Sequence, residues 1–190
     1  MEPTDQLAVI IPTLIDIVDG LGAEQLDNPT PCANFTVQGI LDHMMGGASA
    51  FVPAFLGEAA GDGATAASTA DTPAGQVPAA EFRAAMTSLL DSVNAPGAMD
   101  RMIDAPFGRV PGSVFARFVA FDGLVHGWDL SLATDRAYEP PADVVADVSA
   151  FAHEALGPDM RDGDTFAAEA TAPAGAGDLV QLVAFSGRTV

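Results

Sequence analysis

At 190 residues, 49% of them hydrophobic and with a mean hydropathy of +0.27, the chain is long enough for one domain with a sizeable core and too apolar to stay disordered. Its 26 acidic residues face only 7 basic ones, all arginine, for a net charge of −19; this argues against nucleic acid and anionic membranes as partners, since both are held by clustered Lys and Arg. Without a single lysine there is no Schiff-base chemistry, no pyridoxal phosphate anchor and no Walker A motif.

In chain order, Leu7, Ile10, Ile11, Leu14, Ile17, Val18 and Leu21 recur at helical spacing and predict a first helix over 4–21, with Pro12 inside it and glycines near its end. Two prolines stiffen the loop at 28–32, and Thr36 is the expected N-cap of a second helix running from Val37 to about Gly46. Residues 57–77 are small and polar and read as a mobile loop. A third helix at 78–94 presents Phe82, Met86, Leu89, Leu90 and Val93. Residues 100–110 suit a short hairpin or an irregular connection. The fourth helix, Gly112 to Thr134, is the longest and most apolar, and the fifth, at 141–156, opens on a proline. In the tail, 165–190, a short strand followed by a helix at Asp178 to Phe185 is expected. Several amphipathic helices with few strand signals predict an all-α helical bundle forming a single domain over 1–190.

No apolar run is long enough to span a bilayer, and the acidic start of the chain lacks the basic segment of a secretory signal, so the cytoplasm is the expected compartment. Cys32, the single cysteine, excludes an internal disulfide and any cysteine-cluster zinc site. In an apolar context such a residue is more often packing than a nucleophile.

The fourth helix carries polar residues where its pattern calls for core. Phe115, Phe118, Val119, Asp122, His126, Asp129 and Ala133 share one side of a helix that is apolar almost all round. A carboxylate on that stripe is costly unless paired or bound to a metal, and the four-residue spacing brings Asp122 and His126 together. On the second helix His43 shares a side with Ile40 and lies one turn from Gly39, Gly46 and Gly47, which leave room beside the imidazole. On pattern alone two readings stay open: one metal ion held between the helices, or a hydrogen-bonded Asp–His pair and a separate core histidine.

Two segments add a resemblance. NPTPCANFTVQGILDH, ending at His43, and DGLVHGWDL, from Asp122 to Leu130, resemble the two signatures of the mycothiol-dependent maleylpyruvate isomerase family, a branch of the DinB-like superfamily. The APFGRVPG stretch before the fourth helix is similar too. The resemblance implies a DinB-like four-helix bundle with short additional C-terminal elements and a small hairpin. It implies a divalent metal in the core, held by His43, Asp122 and His126. Phe35 stands where relatives often carry Trp, Gly39 where a charged residue is common, and Asp122 where the isomerase has the longer glutamate. A chain of this length has little room for the isomerase's additional C-terminal domain, so the metal site carries over and maleylpyruvate isomerisation does not.

Three protein ligands leave a coordination position open, as in reactive rather than structural sites. The leading expectation is therefore a metal-dependent transferase or isomerase using a low-molecular-weight thiol, mycothiol, against an electrophilic small molecule. Zinc suits the ligands best, and nickel, iron or manganese could serve. Asp129, one turn past His126, could orient a ligand or move a proton. The alternatives are a metal-dependent hydrolase or small-ligand binder without thiol chemistry, and a non-catalytic structural or interaction protein. Arg101, Arg109 and Arg117 are candidate contacts for an anionic thiol or plain surface charges. His153 is expected to be solvated, and Trp128 to pack in the bundle or face a partner. Bundles of this size often dimerise, so a homodimer is compatible with the sequence.

Overall fold

The computed structural model describes residues 1–58, 75–105, 107–161 and 166–190. Its elements are α1 (Pro3–Asp19), α2 (Val37–Leu56), α3 (Ala79–Val93), β1 (Met102–Ala105), β2 (Gly108–Pro111), α4 (Gly112–Thr134), α5 (Ala142–Ala155) and α6 (Asp178–Phe185). Short 3-10 turns at Ala23–Gln25 and Pro158–Met160 complete them. The fold is all-α with one small hairpin, as the helical periodicities require. The hairpin answers the question at 100–110: β1 and β2 pair antiparallel from Met102↔Pro111 to Ala105↔Gly108, with Gly108 at φ 127° where only glycine is comfortable. The tail forms its helix, but no strand precedes it among the described residues. The expected mobile loop at 57–77 falls largely on residues outside those described.

One boundary is corrected. The second helix does not stop near Gly46; α2 continues to Leu56 and ends on Gly57, left-handed at φ 73°. Gly46 and Gly47 weaken it by about 1 kcal/mol each relative to alanine. Beyond them Ala48 and Phe55 are buried almost completely, and full burial of one phenylalanine contributes about 1.5–3 kcal/mol. Burial outweighs propensity, so the helix runs on. Its start is as expected: the Thr36 side chain accepts a hydrogen bond from the Gly39 amide at 3.2 Å.

The bundle is α1 to α4. α1 packs closely on α4 and α3, α3 packs on α2, and α2 and α4 touch least of the neighbouring pairs. α4 is the central helix: every residue from Gly123 to Ser131 is buried. Trp128 is among them, inside the bundle and not on a partner-facing surface. Glycine lets α4 approach its neighbours; a Cβ on Gly127 would sit 2.5 Å from the Tyr138 ring, whose hydroxyl donates to the Leu124 carbonyl at 3.0 Å. α5 and α6 pack beside α4 and extend the core. The least-packed seam, between α2 and α4, is where the polar residues converge. No helix among the described residues is long and apolar enough to cross a membrane.

Candidate metal centre

His43 on α2 and Asp122 and His126 on α4 meet at that seam. His43 Nε2 lies 3.4 Å from Asp122 Oδ2, and His126 Nε2 lies 3.4 Å from Asp122 Oδ1. The three ligand atoms fall within 4.8 Å of one another. A tetrahedral ion with bonds of about 2.0–2.1 Å holds its ligand atoms roughly 3.3 Å apart; each histidine here approaches a different oxygen of Asp122, so the carboxylate bridges the two rings. His126 is almost fully enclosed, with 3% of its side chain exposed, whereas His43 and Asp122 are 40% and 44% exposed and line the wall of a cavity.

The residues behind this triad fix its chemistry. His126 Nδ1 lies 3.0 Å from Asp129 Oδ2. A carboxylate oxygen only accepts, so Nδ1 is the donor and the Nε2 lone pair is left free for a metal. Asp129 itself is fully buried and takes a second hydrogen bond on Oδ2 from Arg188 Nη2 at 3.1 Å. Its Oδ1 has no hydrogen-bond partner among the described residues. Phe35 covers the front, its ring centroid 5.2 Å from that of His43 and 6.0 Å from that of His126.

The charges follow from these neighbours. Burial alone would raise the Asp122 carboxyl, but His126, then the hydrogen bond and charge of His43, and Arg188 outweigh it and hold the group at about 2. The hydrogen bond to Asp122 pushes His43 above its ordinary 6.5, against the opposing pull of burial. His43 and Asp122 therefore favour each other's charged forms.

The three expected ligands are thus brought together, and Asp129 stands directly behind one of them, not at a solvated helix end. Gly39 does not leave open space: a Cβ there would lie 3.1 Å from the Phe35 ring, so its role is to let Phe35 lie against the histidines. Gly47 does line the cavity. Arg101 bonds the Phe55 carbonyl, Arg109 pairs with Asp104 and Arg117 with Asp147, so none of the three expected arginines reaches the site. His153 is exposed as expected, though its ring stacks on Phe185 at 3.9 Å.

Sequence reasoning missed Arg188, and it missed the approach of Cys32 to His126 and Asp129, whose ligand atoms gather within 4.8 Å. One signal for the arginine was present: a buried carboxylate needs a counter-charge, and a chain without lysine has only seven residues that can supply it. Burial pushes the Cys32 thiol above its ordinary value.

The family model for the mycothiol maleylpyruvate isomerase N-terminal domain matches residues 7–131. The chain belongs to that family. All three ligand candidates lie inside the matched region of this mycothiol-related, DinB-like family, whereas Arg188 lies outside it. Among relatives, the chain is similar to two uncharacterized proteins of Mycobacterium tuberculosis, one from each of two strains. Each is 34% identical over 172 residues, covering 88% of this chain and 87% of the relative. No solved structure matches it significantly.

Proposed function

We propose that this protein is a divalent-metal-dependent transferase or isomerase that presents a low-molecular-weight thiol to an electrophilic small molecule, mycothiol being the thiol that the family's description names. The observation that carries this reading is the gathering of one ligand atom each from His43, Asp122 and His126 within 4.8 Å of one another, with the His126 tautomer set by Asp129. Three ligands fit a reactive site, since a structural zinc normally takes four. The histidine and carboxylate donors suit zinc best; nickel, iron and manganese accept the same donors.

A divalent ion held by His43, Asp122 and His126 would lower the pKa of a coordinated thiol enough to deprotonate it at neutral pH. The chain's own residues do the rest. Asp122 and His43 face the cavity and set where an incoming group lands. Asp129 is a positioning residue: it holds the imidazole of His126 from behind, and Arg188 supplies the charge that keeps a carboxylate there. Phe35 shields the outer face of both rings from water. Asp122, half-exposed and shorter than glutamate, is the ligand best placed to exchange.

Elemental analysis of purified wild type beside His43→Ala tests the centre. The expected result is one equivalent of metal in the wild type and a large loss in the variant. Equal, stoichiometric metal in both would remove His43 from the site. Incubating the metal-loaded wild type with mycothiol and an electrophile should then give the thiol conjugate, whereas ester or amide turnover without thiol would favour a hydrolase.

A further inference from the structure

Between α1, α2, α3, α4 and the hairpin turn lies a cavity of about 230 Å³ with His43 and Asp122 of the candidate metal centre in its wall. Its composition is lopsided. Among the described residues that line it, His43 and Asp122 are the polar ones, and both belong to the candidate metal centre. The rest is hydrocarbon, thioether or aromatic, with Met44, Phe51, Met86, Phe115, Phe118 and Val119 closest to the argument. None of the seven arginines reaches it. Phe107, 40% exposed, closes one side, its ring 4.3 Å from that of Phe118.

Such walls select against charge. A carboxylate carried inward from the candidate metal centre would lose its water and find no donor or cation to replace it among the described lining residues, inside a protein already at −19. An apolar group there would cover aromatic surface now facing water. The volume is below the roughly 300–1,000 Å³ of sites for drug-sized ligands, so the occupant is small.

Resting on the thiol-transfer reading above, we infer that the substrate is a neutral electrophile with a compact apolar body, which enters this cavity while its reactive end stays beside His43 and Asp122. A dicarboxylic acid of the kind in the family's description has no place for its second charge. For an unsaturated ketone the step balances without a leaving group: the thiol sulfur bonds to the β-carbon, the double bond becomes single, and the thiol's proton passes to the α-carbon.

The test compares benzylideneacetone with its ring para-carboxylate, which share the electrophilic end and differ only in a charge at the far end. Binding is measured by calorimetry on the full-length, zinc-loaded protein without thiol. The neutral ketone is expected to bind at least about tenfold more tightly. Val119→Phe, which fills the cavity, should weaken the ketone by a similar factor while leaving the zinc content unchanged. Equal or tighter binding of the carboxylate, or no binding of either compound, overturns the inference. Binding of the ketone without conjugate formation when mycothiol is added would sink the thiol-transfer reading and leave the cavity's preference standing.

Discussion

Asp129 and Asp147 are both carboxylates that gather several donors, but their surroundings are opposite. Asp129 is fully buried and holds His126 and Arg188 at 3.0 and 3.1 Å. Asp147 is about a third exposed on α5 and accepts from the N-terminal amine at 3.2 Å, Gln6 at 2.5 Å and Arg117 at 3.3 Å. By number of partners Asp147 is the busier. In energy the order reverses, because water and ions screen the surface group, while nothing can substitute for a partner lost inside. Burial, not the number of bonds, determines how much each carboxylate matters.

The largest effect is expected at Asp129. Among the described residues, Asp129→Ala leaves the side chain of the buried Arg188 with a long contact to Ser186 Oγ, and should cost about 3–5 kcal/mol in a urea titration. Because His126 also loses its orienting acceptor, metal affinity should fall roughly 10–100-fold in a competition assay with a chelator. A stability loss below about 1 kcal/mol would place Asp129 with the surface carboxylates and remove the contrast.

An intermediate effect is expected at His43 and Asp122 in the metal-free protein, which are both half-exposed. Following the His43 imidazole by NMR after chelation should give a pKa above 6.5, and Asp122→Asn should bring it down, since burial alone opposes the charged ring. The signs are opposite for the two partners. Asp122, lowered to about 2, contributes stability above the ordinary carboxylate range and loses it as pH falls towards that value. His43, raised, contributes fully below its ordinary value and loses the contribution as pH rises through the raised one. Their mutual stabilisation is therefore greatest at roughly pH 4–6.5 in the metal-free state. An unchanged His43 titration in Asp122→Asn would contradict this pairing.

The smallest effect belongs to Asp147→Asn. Burial works against the Asp147 carboxylate, but the N-terminal amine and Arg117 outweigh it and lower its pKa. Its contribution is thus present above the ordinary carboxylate range and fades as pH drops through the lowered value. At neutral pH the substitution should cost no more than about 1 kcal/mol, and less as salt is added. A larger, salt-insensitive loss would show that this network is as sheltered as the inner one.

Much of the fold was legible in the sequence, because helical periodicity reports which face is buried. α4 and α6 fall where the periodicity puts them, and α1, α3 and α5 differ only at their ends. α2 was misread for a physical reason: glycine propensity is local, whereas the burial of Phe55 that carries the helix past Gly47 is a tertiary effect. Asp122 and His126 could be paired from their four-residue spacing. His43 joined them through pattern and resemblance together, since no spacing rule links separate helices. The pairing of Arg188 with Asp129 spans 59 positions and leaves no periodic trace. The apolar cavity was equally invisible, being empty space between helices rather than a property of any one of them.

The support of His126 by Arg188 has a practical consequence. The family match ends at residue 131, after all three proposed metal ligands but well short of that arginine. A fragment or chimera cut at the similarity border would keep every ligating atom and still strip the counter-ion from the carboxylate behind one of them. The smallest piece worth transplanting is therefore larger than the recognisable module, and grafts of this centre into other bundles must bring the distant cation along.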